Sequence, residues 1–153
     1  DSSDLELIED DDDDQMVGMR FTSVDVPQGA TITSAYIQFK VDETNSGSAD
    51  LTFRGQAAGN AAAFSSSDHN LSSRATTSAS ASWQPAAWTS TGEASADQRT
   101  PELASIVQEI VSRGDWTSGN AMAFFVTGSG ERTAESYNGD SNGAPLLHIE
   151  WTY

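Results

Sequence analysis

Cysteine is absent from the 153 residues, and basic residues are scarce. Without cysteine the chain has no disulfide, no thiolate nucleophile and no zinc–sulfur site. Seven Lys and Arg residues stand against 23 Asp and Glu, which gives a formal net charge of −16. Binding to nucleic acid or to an anionic membrane surface requires clustered cations, and the sequence contains no such cluster. These two classes of partner are therefore excluded.

Long apolar runs are also absent, since no segment approaches the roughly 20 apolar residues that a membrane span needs. The length suits one domain with one hydrophobic core. Few lysines, many acids and abundant Ser, Thr, Ala and Gly are typical of secreted or surface proteins of bacteria from saline or marine water. We therefore expect residues 1–153 to be a single module, excised from a larger secreted protein and located outside the cell or at its surface.

Apolar residues that alternate with polar ones predict most of the strands. Leu5 and Leu7, and then residues 17–21, alternate on either side of the acidic run 10–14, which indicates a hairpin with a solvated turn. The clearest strand is 35–41, where Ala, Ile, Phe and Val face one way and Tyr, Gln and Lys the other. Leu51 and Phe53 continue this pattern. Three further strands are predicted at 121–127, 132–137 and 146–151.

Residues 101–112 give the one predicted helix, in which Thr100 serves as the cap, Pro101 occupies the first turn and Gly114 ends the helix. Residues 57–82 are small and polar without a period, which favours a long loop with short strands. About eight strands and one short helix predict an all-β fold, an antiparallel β-sandwich of the jelly-roll type. A doubly wound α/β fold is excluded.

Catalytic motifs are weak in this sequence. The only two histidines are His69, in the polar loop, and His148, on the polar side of the last strand, so neither a Ser-His-Asp triad nor a histidine-based metal site is supported. Glycoside hydrolysis needs two carboxyl groups in a cleft, one of them with a raised pKa. Most of the acids in this sequence are expected to lie exposed on a highly charged surface and not in a cleft. We expect a protein that is not an enzyme; a hydrolase would need a deep cleft holding a close carboxylate pair.

Calcium binding is a better-supported role for the carboxylates than catalysis, because Ca²⁺ takes six to eight oxygen ligands, and these can come from separate loops. No complete EF-hand loop is present, and residues 140–143, which echo part of one, are interpreted as a plain turn. The first and last strands of a jelly roll can meet, so acids from the first, third and late strands could converge there; the alternative is that each is a solvated surface acid. The candidate metal ligands are Asp4, Glu6, Asp42, Glu43 and Glu135.

Aromatic side chains at strand ends and in loops are the candidates for ligand contact, because flat rings stack on the C–H faces of sugars. Tyr36 lies on the polar face of its strand, whereas Trp151 alternates with core residues and is expected to be buried. The alternative for any single Trp is core packing or loop anchoring. The candidate ligand-binding residues are Trp83, Trp88, Arg99, Trp116 and Tyr137.

Residues 17–21, 26–32 and 34–39 resemble the start of DNRLRE-type extracellular modules, in which an L-R-F strand precedes the pattern I-P-x-G-A-x-I-x-x-A-x-L. Similar features follow at Trp83, at 100–111 and 121–128, and in the final strand 145–151, so that only residues 57–80 are left out. The resemblance implies a jelly roll from secreted multidomain proteins, a group that includes carbohydrate-binding members. Calcium is common in jelly-roll sugar-binding modules.

We therefore expect a non-catalytic, calcium-stabilised carbohydrate-binding module, monomeric in isolation, whose partner is a polysaccharide or cell-surface glycan. The alternative is a structural or adhesive spacer of a large cell-surface protein, in which calcium has a purely structural role.

Overall fold

The computed structural model describes residues 4–10, 13–14, 16–65, 71–137 and 139–153. Within them the chain forms antiparallel strands and one α-helix, so the predicted all-β sandwich with a single short helix is confirmed. No described helix has the length and apolar character to cross a membrane. The elements are β1 (Asp4–Asp10), β2 (Asp13–Asp14), β3 (Val17–Phe21), β4 (Thr31–Gln38), β5 (Val41–Glu43), β6 (Asp50–Gln56), β7 (Thr76–Trp83), α1 (Ala104–Val111), β8 (Met122–Ser129), β9 (Glu131–Glu135) and β10 (Leu146–Thr152).

The strands form three hydrogen-bonded groups, with orders β2-β1-β9-β5, β10-β4 and β3-β8-β6-β7. In β6 and most of β4 every second side chain lies in the core, whereas β8 buries five consecutive residues, 122–126. In β4, Ile32, Ala35 and Ile37 are buried, while Tyr36 and Gln38 keep partial exposure, as the sequence pattern predicts. Leu51 and Phe53 are also in the core.

The helix is shorter than predicted. It begins at Ala104 with Leu103 in the cap position, and it ends at Val111, before Gly114. Thr100 does not cap it, because its side-chain oxygen accepts a hydrogen bond from the Ile37 N–H at 3.0 Å, and its own N–H donates to the Ile37 carbonyl. Pairing with β4 thus removes Thr100 and Pro101 from the helix. The predicted apolar stripe is buried as expected: Leu103, Ile106, Val107, Ile110 and Val111.

Strand β7 was not predicted at its full length, because its Thr, Ser and Ala residues carry almost no apolar contrast. It pairs with β6, and α1 packs against it. The helix also approaches β6 closely, since a Cβ on Gly55 would lie 2.7 Å from Ile110 of the helix and 3.2 Å from Thr77 of β7. The Glu109 carboxylate accepts hydrogen bonds from the Ser78 and Ala79 N–H groups, and so protects the exposed strand edge.

The predicted hairpin of residues 5–7 with residues 17–21 is wrong. Strand β1 pairs with β2 and β9, whereas β3 pairs with β8 in another sheet. Alternation reports which face of a strand is buried and does not identify its neighbour. Asp10 and Asp13 are themselves opposed across a short β1–β2 hairpin, and residues 11 and 12 of the predicted turn lie outside the described residues.

Thr133 carries a buried hydroxyl that has no hydrogen-bond partner among the described residues. Thr133→Val should therefore raise the free energy of unfolding by about 1 kcal/mol, because it removes an unsatisfied buried polar group at similar volume. Urea denaturation measures this. Thr77→Val is the matched control and should be destabilising, since the Thr77 hydroxyl accepts from the Gly55 N–H at 3.0 Å and donates to the Ala79 carbonyl at 2.8 Å. A loss of stability in Thr133→Val would contradict the prediction.

Candidate functional site

Three of the five candidate ligand-binding residues are core residues. Trp83, Trp88 and Trp116 are all buried, and this corrects their assignment as sugar platforms. Their polar edges are also used internally, since the Trp88 indole N–H donates to the Asp97 carbonyl at 3.2 Å and that of Trp116 to the Val26 carbonyl at 2.8 Å. The alternative interpretation, core packing, applies to all three. Trp151, expected to be buried, is instead partly exposed.

Arg99 is exposed to solvent but lies against Tyr36. Its guanidinium sits 4.4 Å from the centre of the Tyr36 ring, and its Nε donates to the Gln38 side-chain oxygen at 3.1 Å. On the other side of β4, His148 of β10 stacks on the same ring with 4.6 Å between centroids. Because residue 99 and β10 flank β4 on opposite sides, Tyr36 has a neighbour on each face.

This row of stacked groups is therefore a preformed surface feature, but the Tyr36 ring has no open face on which a sugar could stack. The His148 imidazole lies 3.6 Å from the Glu150 carboxylate, which continues the row along β10. The other histidine, His69, lies outside the described residues.

Tyr137 is the one candidate ring that is open to solvent, with 73% of its surface exposed. It lines a groove of about 450 Å³, where the end of β3 approaches the segments 136–137 and 144–145. Phe21 and Leu5 supply apolar walls. The Arg20 side chain alternates with Met19 and Phe21 and extends from the other face of β3, where its Nε donates to the Ala61 carbonyl at 2.8 Å. The groove thus combines the rings of Phe21 and Tyr137 with the polar residues Thr22 and Ser136.

A second cavity of about 320 Å³ adjoins the groove and shares Phe21, Thr22 and Pro145 with it. Its walls are the segment 22–26 and the inward side of β10, including Trp151. Sequence reasoning missed Phe21 and Trp151 as lining residues, because both alternate with core residues. Nothing in their pattern reveals that the edge of the core is open at this point.

The candidate metal ligands fall on three adjacent strands, β1, β9 and β5. Register places Asp4 opposite Glu135, and both Glu6 and Glu43 opposite Thr133. The first strand thus meets β9 and not the last strand, since β10 pairs with β4. The side chain of Asp4 lies outside the described part of the structure.

Glu135 has other acidic side chains as near neighbours. Partial burial raises its pKa, and the neighbouring Asp42 charge, a hydrogen bond with Asp42 and the Asp140 charge raise it further, while Lys40 opposes them. Lys40 Nζ lies 3.1 Å from the Asp140 carboxylate, whose pKa is lowered by that hydrogen bond. A register shift at Asp42 in β5 breaks the regular pairing with β9 at this point.

Asp42 and Glu135 therefore come together, whereas Glu6 and Glu43 lie opposite Thr133, two residues away from Glu135 along β9. Asp140 was not among the candidate ligands, although its turn carries the calcium-loop echo that was interpreted as a plain turn. Among the described side chains, no group of three or more acids or histidines has the spacing of a metal site. Neither Asp42 nor Glu135 lines the groove or its neighbouring cavity.

The resemblance to DNRLRE-type modules stays a prediction. Comparison with known proteins finds no family model, no curated protein and no solved structure that matches this chain.

Proposed function

We propose that the protein is a non-catalytic carbohydrate-binding module of a secreted or cell-surface protein, and that its glycan binds in the groove at Tyr137. The observation that carries this proposal is an exposed tyrosine ring at the mouth of an open groove of about 450 Å³. Covering an exposed aromatic ring with the face of a sugar is favourable, because the C–H groups of the sugar contact the negative ring face in place of water.

The polar groups of the groove suit hydroxyl recognition. Thr22 and Ser136 line the groove together with the rings of Phe21 and Tyr137. Few orienting polar groups within a largely apolar lining is the usual composition of a small-molecule site. A groove that is open to solvent, as opposed to a closed cavity, suits a large ligand such as a polysaccharide.

Calcium is the second part of the proposal. Asp42 and Glu135 are side by side on adjacent strands, and Asp140 adds a third negative charge to their surroundings. Asp42 and Glu135 would supply oxygen ligands to a hard cation, and the register of β1 adds the backbone of Asp4 nearby. The ion would relieve the mutual repulsion between the Asp42 carboxylate and those of Glu135 and Asp140, and so hold β5 and β9 together.

The alternative function, a structural or adhesive spacer, is favoured by the burial of Trp83, Trp88 and Trp116. Three of the four tryptophans lie in the core, where they stabilise the fold and cannot contact a ligand. The spacer hypothesis predicts tandem copies in the parent protein and no affinity for glycans, so a glycan array separates the two functions.

Tyr137→Ala should weaken binding to a glycan identified on the array by about tenfold, because it removes the exposed stacking ring. Tyr137→Phe is the matched control and should retain most of the affinity, since the ring remains. Isothermal titration calorimetry gives both dissociation constants. No binding of any array glycan by the wild-type protein with calcium present would contradict the proposal, and equal affinities of the Ala variant and the wild type would remove Tyr137 from the site.

Calcium at millimolar concentration should raise the melting temperature, because an ion that binds only the folded state stabilises it by mass action. EDTA should reverse the shift, and Glu135→Gln should abolish it. Magnesium at equal ionic strength controls for simple screening of the −16 charge. Glu131→Gln, an exposed acid on the same strand, should keep the calcium response. A melting temperature that EDTA leaves unchanged would argue against a bound ion.

The pH dependence without calcium tests the surroundings of Glu135 separately. Since the folded state raises its pKa above the ordinary value of 4.5, the charged form is disfavoured on folding. The wild type should therefore lose stability relative to Glu135→Gln as the pH rises from 4.5 through the raised pKa, and the two should converge below pH 4.5. Urea denaturation in EDTA at a series of pH values measures this difference. A constant difference across the range would contradict the assignment.

A further inference from the structure

Strand β10 is paired on only one side. It lies at the edge of the β10-β4 pair, and no other described strand hydrogen-bonds to it. The segment 22–26 lies on the free side of β10. Its Val24 N–H donates to the Asn120 carbonyl and its Val26 N–H donates to the Val24 carbonyl, so neither group pairs with β10. The cavity of about 320 Å³ separates that segment from the strand. An unpaired strand edge presents N–H and C=O groups to any other strand.

Every residue of β10 keeps some solvent exposure, including the inward residues Leu147, Ile149 and Trp151. The inward residues of its partner β4 are buried, so the core is closed under β4 and open under β10. The three large apolar side chains that are most exposed in the described residues gather in this region. Leu146 begins the strand at 61%, Tyr153 follows it at 93% and contacts Trp151, and Tyr137 lies in the adjoining groove.

The strand is also regular enough to pair. The shift between β10 and β4 arises because Glu150 pairs with Ser34 and Trp151 with Ile32, which leaves the extra residue, Thr33, in β4. Strand β10 itself therefore contains no bulge, and bulges are one of the devices that protect sheet edges from association.

The sequence of β10 is complementary to itself in one antiparallel register. With Ile149 opposite Ile149 of a second copy, Leu147 faces Trp151 on the inner side, and His148 faces Glu150 on the outer side. If one copy slides by two residues along the other, Glu150 faces Glu150 in one direction and His148 faces His148 in the other. Only the first register joins apolar to apolar residues and an imidazole to a carboxylate, and cross-strand pairs of this kind stabilise sheets.

From this edge and its register we infer that the protein associates with a second copy of itself through antiparallel pairing of the two β10 strands. The contact has twofold symmetry, so each favourable pair occurs twice. The Leu147, Ile149 and Trp151 side chains of the two copies cover one another and the cavity beside them. Continuous pairing then runs across both copies, in the order β4-β10-β10-β4.

The net charge of −16 per chain opposes this association, since both copies carry it. Within β10, however, His148 and Glu150 are the only ionisable side chains, so the repulsion comes from distant charges. Salt screens distant charges and leaves apolar contacts intact. Self-association should therefore tighten as the salt concentration rises.

This inference goes beyond the proposed function and does not depend on it. The groove at Tyr137 and the β10 edge are neighbouring surfaces, and either could be wrong without the other. The expectation that the isolated module is monomeric is tested by the same experiment.

Sedimentation equilibrium of the whole chain in 0.5 M NaCl tests the inference. The weight-average mass should rise from 16.2 kDa toward twice that value between about 10 µM and 1 mM, the affinity expected for an interface smaller than standard size. His148→Glu places a carboxylate opposite Glu150 at both symmetric positions, and should weaken the association by about tenfold. The double variant His148→Glu with Glu150→Lys restores opposite charges and should recover it.

Both variants lose the stack of His148 on Tyr36, so a difference between them reports the pairing between copies and not that local contact. Thermal melts establish that each variant is folded. A wild-type protein that stays at 16.2 kDa up to 1 mM in high salt would overturn the inference. So would an equal dimer affinity for the wild type, His148→Glu and the double variant, because pairing would then involve another surface.

Discussion

The structure depends on an aromatic core that spans its sheets. Phe39 and Phe53 pack against Trp83 with ring centroids 6.0 Å apart, and Trp88 completes the cluster at 6.5 Å from Trp83. Burial of such rings is among the largest single contributions to folding in a chain of this size. In a chain with no disulfide, this cluster fastens the loop after β7 to the sheets. It also buries Trp83 and Trp88, so that a ligand would have to contact other aromatic side chains.

The core is complete under β4 but not under β10. A strand that pairs on one side, with inward residues only half covered, creates both features to which we assign function. The groove at Tyr137 opens at this margin, and the free edge of β10 borders the adjoining cavity. Exposed apolar surface in a strongly charged chain is costly in solution, and it commonly marks a site of contact.

The acids around Glu135 depend on a different constraint. Strand β9 lies between β1 and β5, so like charges from distant parts of the sequence meet across the sheet. Lys40, the only lysine, is placed among them and pairs with Asp140. Burial raises the pKa of Glu135, and the neighbouring Asp42 and Asp140 raise it further, which this one cation offsets only in part.

The sequence by itself determined the strand character of β4, the apolar stripe of α1 and the all-β class, because local periodicity reflects which face of an element is buried. It also placed Asp42 and Glu135 among the candidate calcium ligands, since Glu135 lies in a predicted strand and Asp42 directly follows one, and a sandwich could bring these strands together. Tertiary structure alone decided that Trp83 and Trp116 are internal while Tyr137 is open, that Thr100 pairs with β4, and that β1 and β3 lie in different sheets. Those outcomes depend on which strands become neighbours, and neighbour choice is set by long-range packing that alternation along a single strand does not encode.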